Sequence, residues 1–223
     1  MSTAEDFLLI ATDPESGRTQ LDSMRDQPVL GGAFLLDLVA AGRLTLEGEG
    51  RKARVVVQDP APVDDPLTEE AFARVRNRGR QKPQSAVTRL GRSGRKRTYA
   101  ALVAKGSVRH RPAKLLGIFA LTRYDVVDTA RRDDLRGRIR SSLLHDQPTD
   151  SETAPLVGLL SAADMTKIVV DKPDRKVAKA RAKVLADGDW ASEGVRKAIQ
   201  AAQAAITASI VAASSSAAAS GSS

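Results

Sequence analysis

Residues 28–41, PVLGGAFLLDLVAA, constrain this chain more than any other stretch. Their only charge is Asp37, and they have no polar face. A helix that is apolar all round belongs in the middle of a core, not on a surface. Gly42 follows at the place where helices commonly end in a left-handed residue. The rest of the chain must supply the elements that wrap this helix.

The flanking patterns supply them. Residues 7–12, FLLIAT, then Asp13-Pro14-Glu15-Ser16-Gly17 and Thr19-Gln20-Leu21, predict a small hairpin. Arg43-Leu44-Thr45-Leu46 and Arg54-Val55-Val56-Val57 predict two short strands joined around Gly48-Glu49-Gly50. The unit recurs. Leu102-Val103-Ala104-Lys105-Gly106 repeats Leu38-Val39-Ala40-Ala41-Gly42, and strands at 107–108 and 114–119 follow it, with a turn around Arg111-Pro112.

Asp65-Pro66 is an N-cap and first-turn proline for a helix carrying Leu67, Ala71 and Val75. Residues 79–84 read as a basic loop around Pro83, and Val87 and Leu90 begin a helical face interrupted by Gly91 and Gly94. Residues 124–134 read as a polar connection before a helix with Leu135, Ile139 and Leu143 on one side. Further helices are predicted over 153–170, from 172 with Val177, Ala180, Val184 and Leu185 as its apolar side, and over 192–212. The Ala/Ser run at 213–223 is expected to be disordered. The expected fold is mainly α, a buried helical bundle surrounded by amphipathic helices with a few short β-hairpins. Residues 1–212 are expected to form a single domain.

Charge is distributed unevenly. Residues 71–124 contain fifteen Lys or Arg and no Asp or Glu, while residues 1–70 sum to −8 and residues 125–223 to +1. The net charge of +8 therefore belongs to one central segment, which suits a phosphate-bearing partner. Within it Arg89, Arg92 and Lys96 share one side at spacings of three and four, with Arg95 beside them.

Catalytic signatures are missing from the sequence. It has no Gly-rich phosphate loop, GxGxxG, HExxH or GxSxG. It has no cysteine, which excludes disulfides, thiol nucleophiles and Cys-based metal sites. His110 and His145 are isolated and do not make a metal site. The paired acids Asp64-Asp65 and Glu69-Glu70 sit where a helix begins, and the helix dipole favours them there. The expectation is a protein that is not an enzyme and holds no cofactor or metal. Residues 1–6 carry acids where a signal peptide needs basic residues, and no apolar stretch approaches the ~20 residues of a membrane span. A cytoplasmic protein is expected.

The ordered set LLI-TD-ESGR, GG-FLLDLVAAGRLTLE, VVVQDPAP--DPLTEEA and R--R------LV-KG-V resembles the Golgi-phosphoprotein family, from Phe7 to about Val211. The resemblance implies an almost all-helical fold and a peripheral membrane adaptor that binds phosphatidylinositol 4-phosphate and client proteins. The family's Arg-x-x-Arg pair matches Arg92 and Arg95. Its pocket Trp falls on Asp22, and a further pocket Arg falls on Gly31, whose backbone N–H near a helix start is a substitute donor. The expected headgroup site is Arg92, Arg95, Arg89, Lys96 and Gly31. The family's membrane-touching hairpin falls on residues 108–121, with Leu115, Leu116 and Ile118 beside Arg109, Arg111 and Lys114. The expected partner is an anionic membrane lipid with a phosphoinositide-like headgroup, met by a monomer or weak homo-oligomer. The alternative is a winged-helix nucleic-acid binder, suggested by the helix–hairpin repeats. Its two candidate recognition helices, 28–41 and 99–105, offer almost no cations, which disfavours nucleic acid.

Overall fold

The computed structural model describes residues 1–115, 119–145, 149–187 and 193–220. The described residues hold nine α-helices and two two-stranded antiparallel sheets, the mainly helical fold that the sequence predicts. The chain opens on α1 (Thr3–Ala11), where the pattern predicts half of a hairpin. Reciprocal caps decide in favour of helix. The Glu5 amide donates to Ser2 Oγ at 3.3 Å, and the Ser2 amide donates to Glu5 Oε2 at 2.8 Å. Two otherwise unpaired donors of the helix end are satisfied this way. Of the hairpin only a bridge between Thr12 and Thr19 remains.

The central helix, α2 (Ser23–Ala40), starts before the predicted position because Asp22 caps it, accepting the Met24 amide at 2.7 Å. Pro28 lies inside it and removes one helical donor, the one that would reach the Met24 carbonyl near the exposed start. Every residue from 28 to 36 is buried. At the other end Gly42 takes φ +68°, its amide donates to Val39 O at 3.0 Å, and the Arg43 amide donates to Leu38 O at 2.9 Å. These two bonds satisfy the last carbonyls of the helix.

Strands β1 (Leu44–Glu47) and β2 (Arg54–Val57) form the predicted pair, antiparallel, and the register places Leu44 opposite Val57. Helix α3 (Pro66–Phe72) starts at its Asp65 cap, and α4 (Pro83–Leu90) begins inside the predicted basic loop, with Pro83 in its first turn. Helix α5 (Gly94–Ala104) ends as α2 does. Gly106 takes φ +72°, its amide reaches Val103 O at 3.0 Å, and the Ser107 amide reaches Leu102 O at 2.9 Å.

The second hairpin is longer than predicted. Strands β3 (Val108–Leu115) and β4 (Phe119–Val126) pair so that Pro112 faces Thr122 and Leu115 faces Phe119. Pro112 is therefore mid-strand and not in a turn, which a ribbon of two edge strands tolerates. The predicted polar connection is divided between β4 and α6 (Thr129–Leu144). Then follow α7 (Thr153–Ala162), α8 (Arg175–Asp187) and α9 (Glu193–Ser220). Helix α9 continues through 213–220, where disorder was expected; alanine is the strongest helix former.

Helix α2 packs against α1, α3, α4, α5, α7, α9 and β1, within one hydrophobic cluster. Enclosure on these sides removes α2 as a recognition helix. Helix α8 is rotated relative to its predicted face. Ala178, Ala182 and Leu185 point inward, while Val177 and Val184 are about 60 % exposed. No helix among the described residues is long and apolar enough to cross a membrane.

Candidate functional site

The acid-free stretch acquires acids in space. Glu70 pairs with Arg74 and Arg97, Glu69 with Arg76, Glu47 with Arg80, and Asp26 with Arg95. Lys105 lies between Glu5 and Asp65, at 2.8 and 3.4 Å, and Arg111 meets Asp125 at 3.1 Å. All but Asp125 come from residues 1–70, the segment with the opposite net charge. Much of the central charge is therefore neutralised within the fold. Among the described residues, six exposed cations of this stretch have no carboxylate partner: Arg78, Lys82 and Arg109, and the three that cluster in sequence, Arg89, Arg92 and Lys96.

These three cations lie around one junction. Helix α4 ends at Gly91, Ser93 adopts a left-handed φ of +56°, and α5 begins at Gly94. The Gly94 amide closes the turn on Gly91 O at 2.8 Å. Arg97 locks it from below. Its Nη2 donates to Leu90 O at 2.8 Å and Arg92 O at 3.1 Å, and its guanidinium lies over the Phe34 ring at 5.2 Å. Arg97 thus serves the fold, holding α4 and α5 on the central helix. Tyr99 fixes the next turn of α5. Its ring stacks on Tyr124 at 3.8 Å, and its hydroxyl shares a 2.8 Å hydrogen bond with Thr12.

The start of α5 is electropositive twice over. No side chain caps it and its first turn holds no acid, so its leading N–H groups add the positive end of the helix dipole. Arg95, Lys96 and Arg97 occupy that same turn. Exposed Arg92 and Lys96 stand on either side of Ser93, while Arg89 donates to Gln81 Oε1 at 3.1 Å and Ser85 O at 3.3 Å.

Arg95 differs from its neighbours. Its Nη1 meets Asp26 Oδ2 at 2.9 Å. Asp26 is only 14 % exposed, and its other oxygen, Oδ1, is buried with no hydrogen-bond partner. Burial pushes its carboxyl up to about 6, against the pull of Arg95 and with a further push from Asp22. Sequence reasoning missed Asp26 because it starts the helix at 28. The signal was the Asp22 cap, which puts Asp26 in the first turn of α2.

Gly31 is not at a helix start. It is buried well inside α2, and a Cβ there would lie 1.9 Å from the Val87 carbonyl oxygen. The position serves close packing on α4 and leaves no room for any side chain. Asp22 is occupied as the cap of α2. On the hairpin, Arg109 is exposed opposite Asp125, and Arg111 also reaches Glu15 O at 3.5 Å. Lys114 and Leu115 end β3, while Leu116 and Ile118 lie outside the described residues. A cavity of about 770 Å³ is at the other end of α4, bounded by Leu46, Lys82, Pro83 and Ala204.

Residues 4–202 match the sequence pattern of the family described as Golgi phosphoprotein 3 (GPP34). The chain belongs to this family. A search of curated proteins finds no individual match. In this Golgi-phosphoprotein family member residues 22 and 31 have structural roles. Asp22 and Gly31 are given to capping and packing, so neither is available to the expected headgroup site.

Proposed function

We propose that this member of the family is a non-enzymatic, peripheral membrane adaptor that binds an anionic lipid headgroup of the phosphatidylinositol 4-phosphate class. Arg92, Arg95 and Lys96 would hold the phosphate, with Arg89 at the rim. The observation that carries this is the start of α5, an uncapped helix end with three cations and no acid in its first turn. Phosphate oxygens suit both the free N–H groups and the planar Arg donors. Arg109, Arg111 and Lys114 would add the general attraction of a basic hairpin for anionic lipid, worth about 1 kcal/mol per residue near the surface. In this reading Leu115, Leu116 and Ile118 form the shallow apolar anchor of that hairpin, the protein works in the cytoplasm, and client proteins dock on the membrane-bound form. Both parts are needed, because neither charge nor a shallow apolar tip anchors a protein stably alone.

Flotation on vesicles of equal net charge, with and without phosphatidylinositol 4-phosphate, tests the reading. The wild-type chain should float with both and better with the phosphoinositide. Arg92→Ala/Lys96→Ala should weaken binding by roughly tenfold or more, since two such residues contribute about 2 kcal/mol. No binding to any anionic vesicle, alongside a shift of duplex DNA at the same salt, would overturn it in favour of a nucleic-acid binder.

A further inference from the structure

We propose that Asp26 is a built-in competitor for the phosphate: it occupies Arg95, and the site opens fully only to a phosphate monoester, so that Asp26 sets selectivity against the phosphodiesters of bulk anionic lipid. This rests on the reading of Arg92 and Arg95 as the headgroup site.

The geometry makes Asp26 a substitute for a ligand. Its Oδ2 lies 2.9 Å from Arg95 Nη1, an ion pair in the place that an anionic ligand would take. Arg95 is the more exposed partner, at 41 % against 14 %, so a headgroup reaches the guanidinium from solvent while the carboxylate stays behind it. Asp26 is poorly held in exchange. One oxygen has Arg95 and the other is buried with no partner. Among the described residues Arg92 has no carboxylate partner.

Displacement follows from charge. A phosphodiester carries one negative charge, as the carboxylate does. Exchanging the two on Arg95 brings no net electrostatic gain and leaves Asp26 buried without its counter-charge, which is costly. A phosphate monoester carries about −1.5 to −2 at pH 7 and three acceptor oxygens. It can engage Arg95 and Arg92 together, with charge to spare for the start of α5. The displaced carboxylate then takes a proton from the buffer. Its surroundings favour that step. Burial already lifts its carboxyl to about 6, Arg95 from α5 is its cationic partner among the described residues, and Asp22, from the cap of the same helix, repels it. From the neighbouring turn Arg92 is exposed, and from α4 Arg89 is turned to Gln81 and Ser85.

The test is vesicle binding by the full chain, wild type and Asp26→Asn, on vesicles of equal net charge containing either phosphatidylinositol 4-phosphate or phosphatidylserine alone. Asp26→Asn should bind the phosphatidylserine vesicles about tenfold more tightly than wild type, and its monoester preference should fall by the same factor. The gain should disappear in Asp26→Asn/Arg95→Gln. An Asp26→Asn chain with the lipid profile of wild type would overturn the inference while leaving the headgroup reading intact. No binding by either chain to either vesicle would overturn the headgroup reading as well. Calorimetry of the wild type in two buffers of different ionisation enthalpy gives a second measure that needs no variant. Net proton uptake on binding the phosphoinositide near pH 7 is expected. Net release, the direction in which a phosphate held by arginines would itself move, would count against Asp26.

Discussion

Gly31 and Gly91 face each other where α2 crosses α4. A Cβ on Gly31 would meet the Val87 carbonyl oxygen at 1.9 Å, and one on Gly91 would meet the Gln27 carbonyl oxygen at 1.8 Å. Each glycine thus makes room for the other helix's backbone, which cannot swing aside as a side chain can. The contact also sets the junction, because Gly91 immediately precedes Arg92.

Gly31→Ala and Gly91→Ala should each destabilise the protein by more than about 2 kcal/mol, at the upper end of overpacking costs because the clash is with backbone. Urea denaturation measures this. Either alanine leaving the midpoint unchanged would mean that the helices can separate without loss.

Gly42 and Gly106 require a different property, a left-handed backbone. Their φ values are +68° and +72°, and nothing lies within 4 Å of a Cβ at either. Alanine is therefore strained there but not crowded. Each single Gly→Ala change should cost about 1 kcal/mol, the double change about twice that, and lipid binding should be unaffected. A loss equal to that of Gly31→Ala would contradict this separation of strain from crowding.

Much of this fold is legible in the sequence where one residue decides one feature. The unbroken apolar character of 28–41 places the core helix, Gly42 and Gly106 mark two similar helix endings, and Asp65-Pro66 marks the start of α3. The apolar run at 7–12 is ambiguous because apolar runs do not separate a buried strand from a buried helix; the Ser2–Glu5 spacing does. The valines of α8 are exposed against expectation because Ala178 and Ala182, small enough to pack closely, take the inner face. At the site, the basic cluster is visible in the sequence. Its neutralisation is not, since Asp26, Glu47, Glu69 and Glu70 are distant in sequence from several of the cations they meet. Gly31 looks like a donor in the sequence because the approach of Val87 belongs to tertiary packing.

Arg131 holds a buried acid. Its Nε and Nη2 donate to the two oxygens of Asp6 at 2.8 and 2.7 Å, and Asp6 is 2 % exposed. Burial raises the Asp6 carboxyl above its ordinary range even with Arg131 present. Arg131→Met should cost about 3 kcal/mol at pH 7, because it leaves an uncompensated buried charge. Asp6→Asn added to it should restore part of the loss. If the double variant is no more stable than Arg131→Met, packing of the arginine stem is the main contribution.

Asp37, the only charge in residues 28–41, should make stability depend on pH in an identifiable way. It accepts the Thr3 amide at 3.1 Å and the Thr3 hydroxyl at 2.5 Å, tying the start of α1 to α2. Burial outweighs these bonds and raises its carboxyl from 3.8 to about 6. The folded chain therefore keeps a proton that the unfolded chain has released. The resulting stabilisation is fully present below about pH 4 and is lost as pH rises through about 6. Asp65, Glu69, Asp150 and Glu152 are displaced the other way, so the whole-protein curve mixes both signs. Asp37→Asn isolates the contribution of this one carboxyl, since it is neutral at every pH and can still accept from Thr3. Relative to wild type it should gain about 2–3 kcal/mol between pH 4 and pH 7, because a tenfold change in proton affinity is worth about 1.4 kcal/mol. Urea unfolding of both chains across that range is the measurement. A difference that stays constant with pH would mean that Asp37 ionises at its ordinary value.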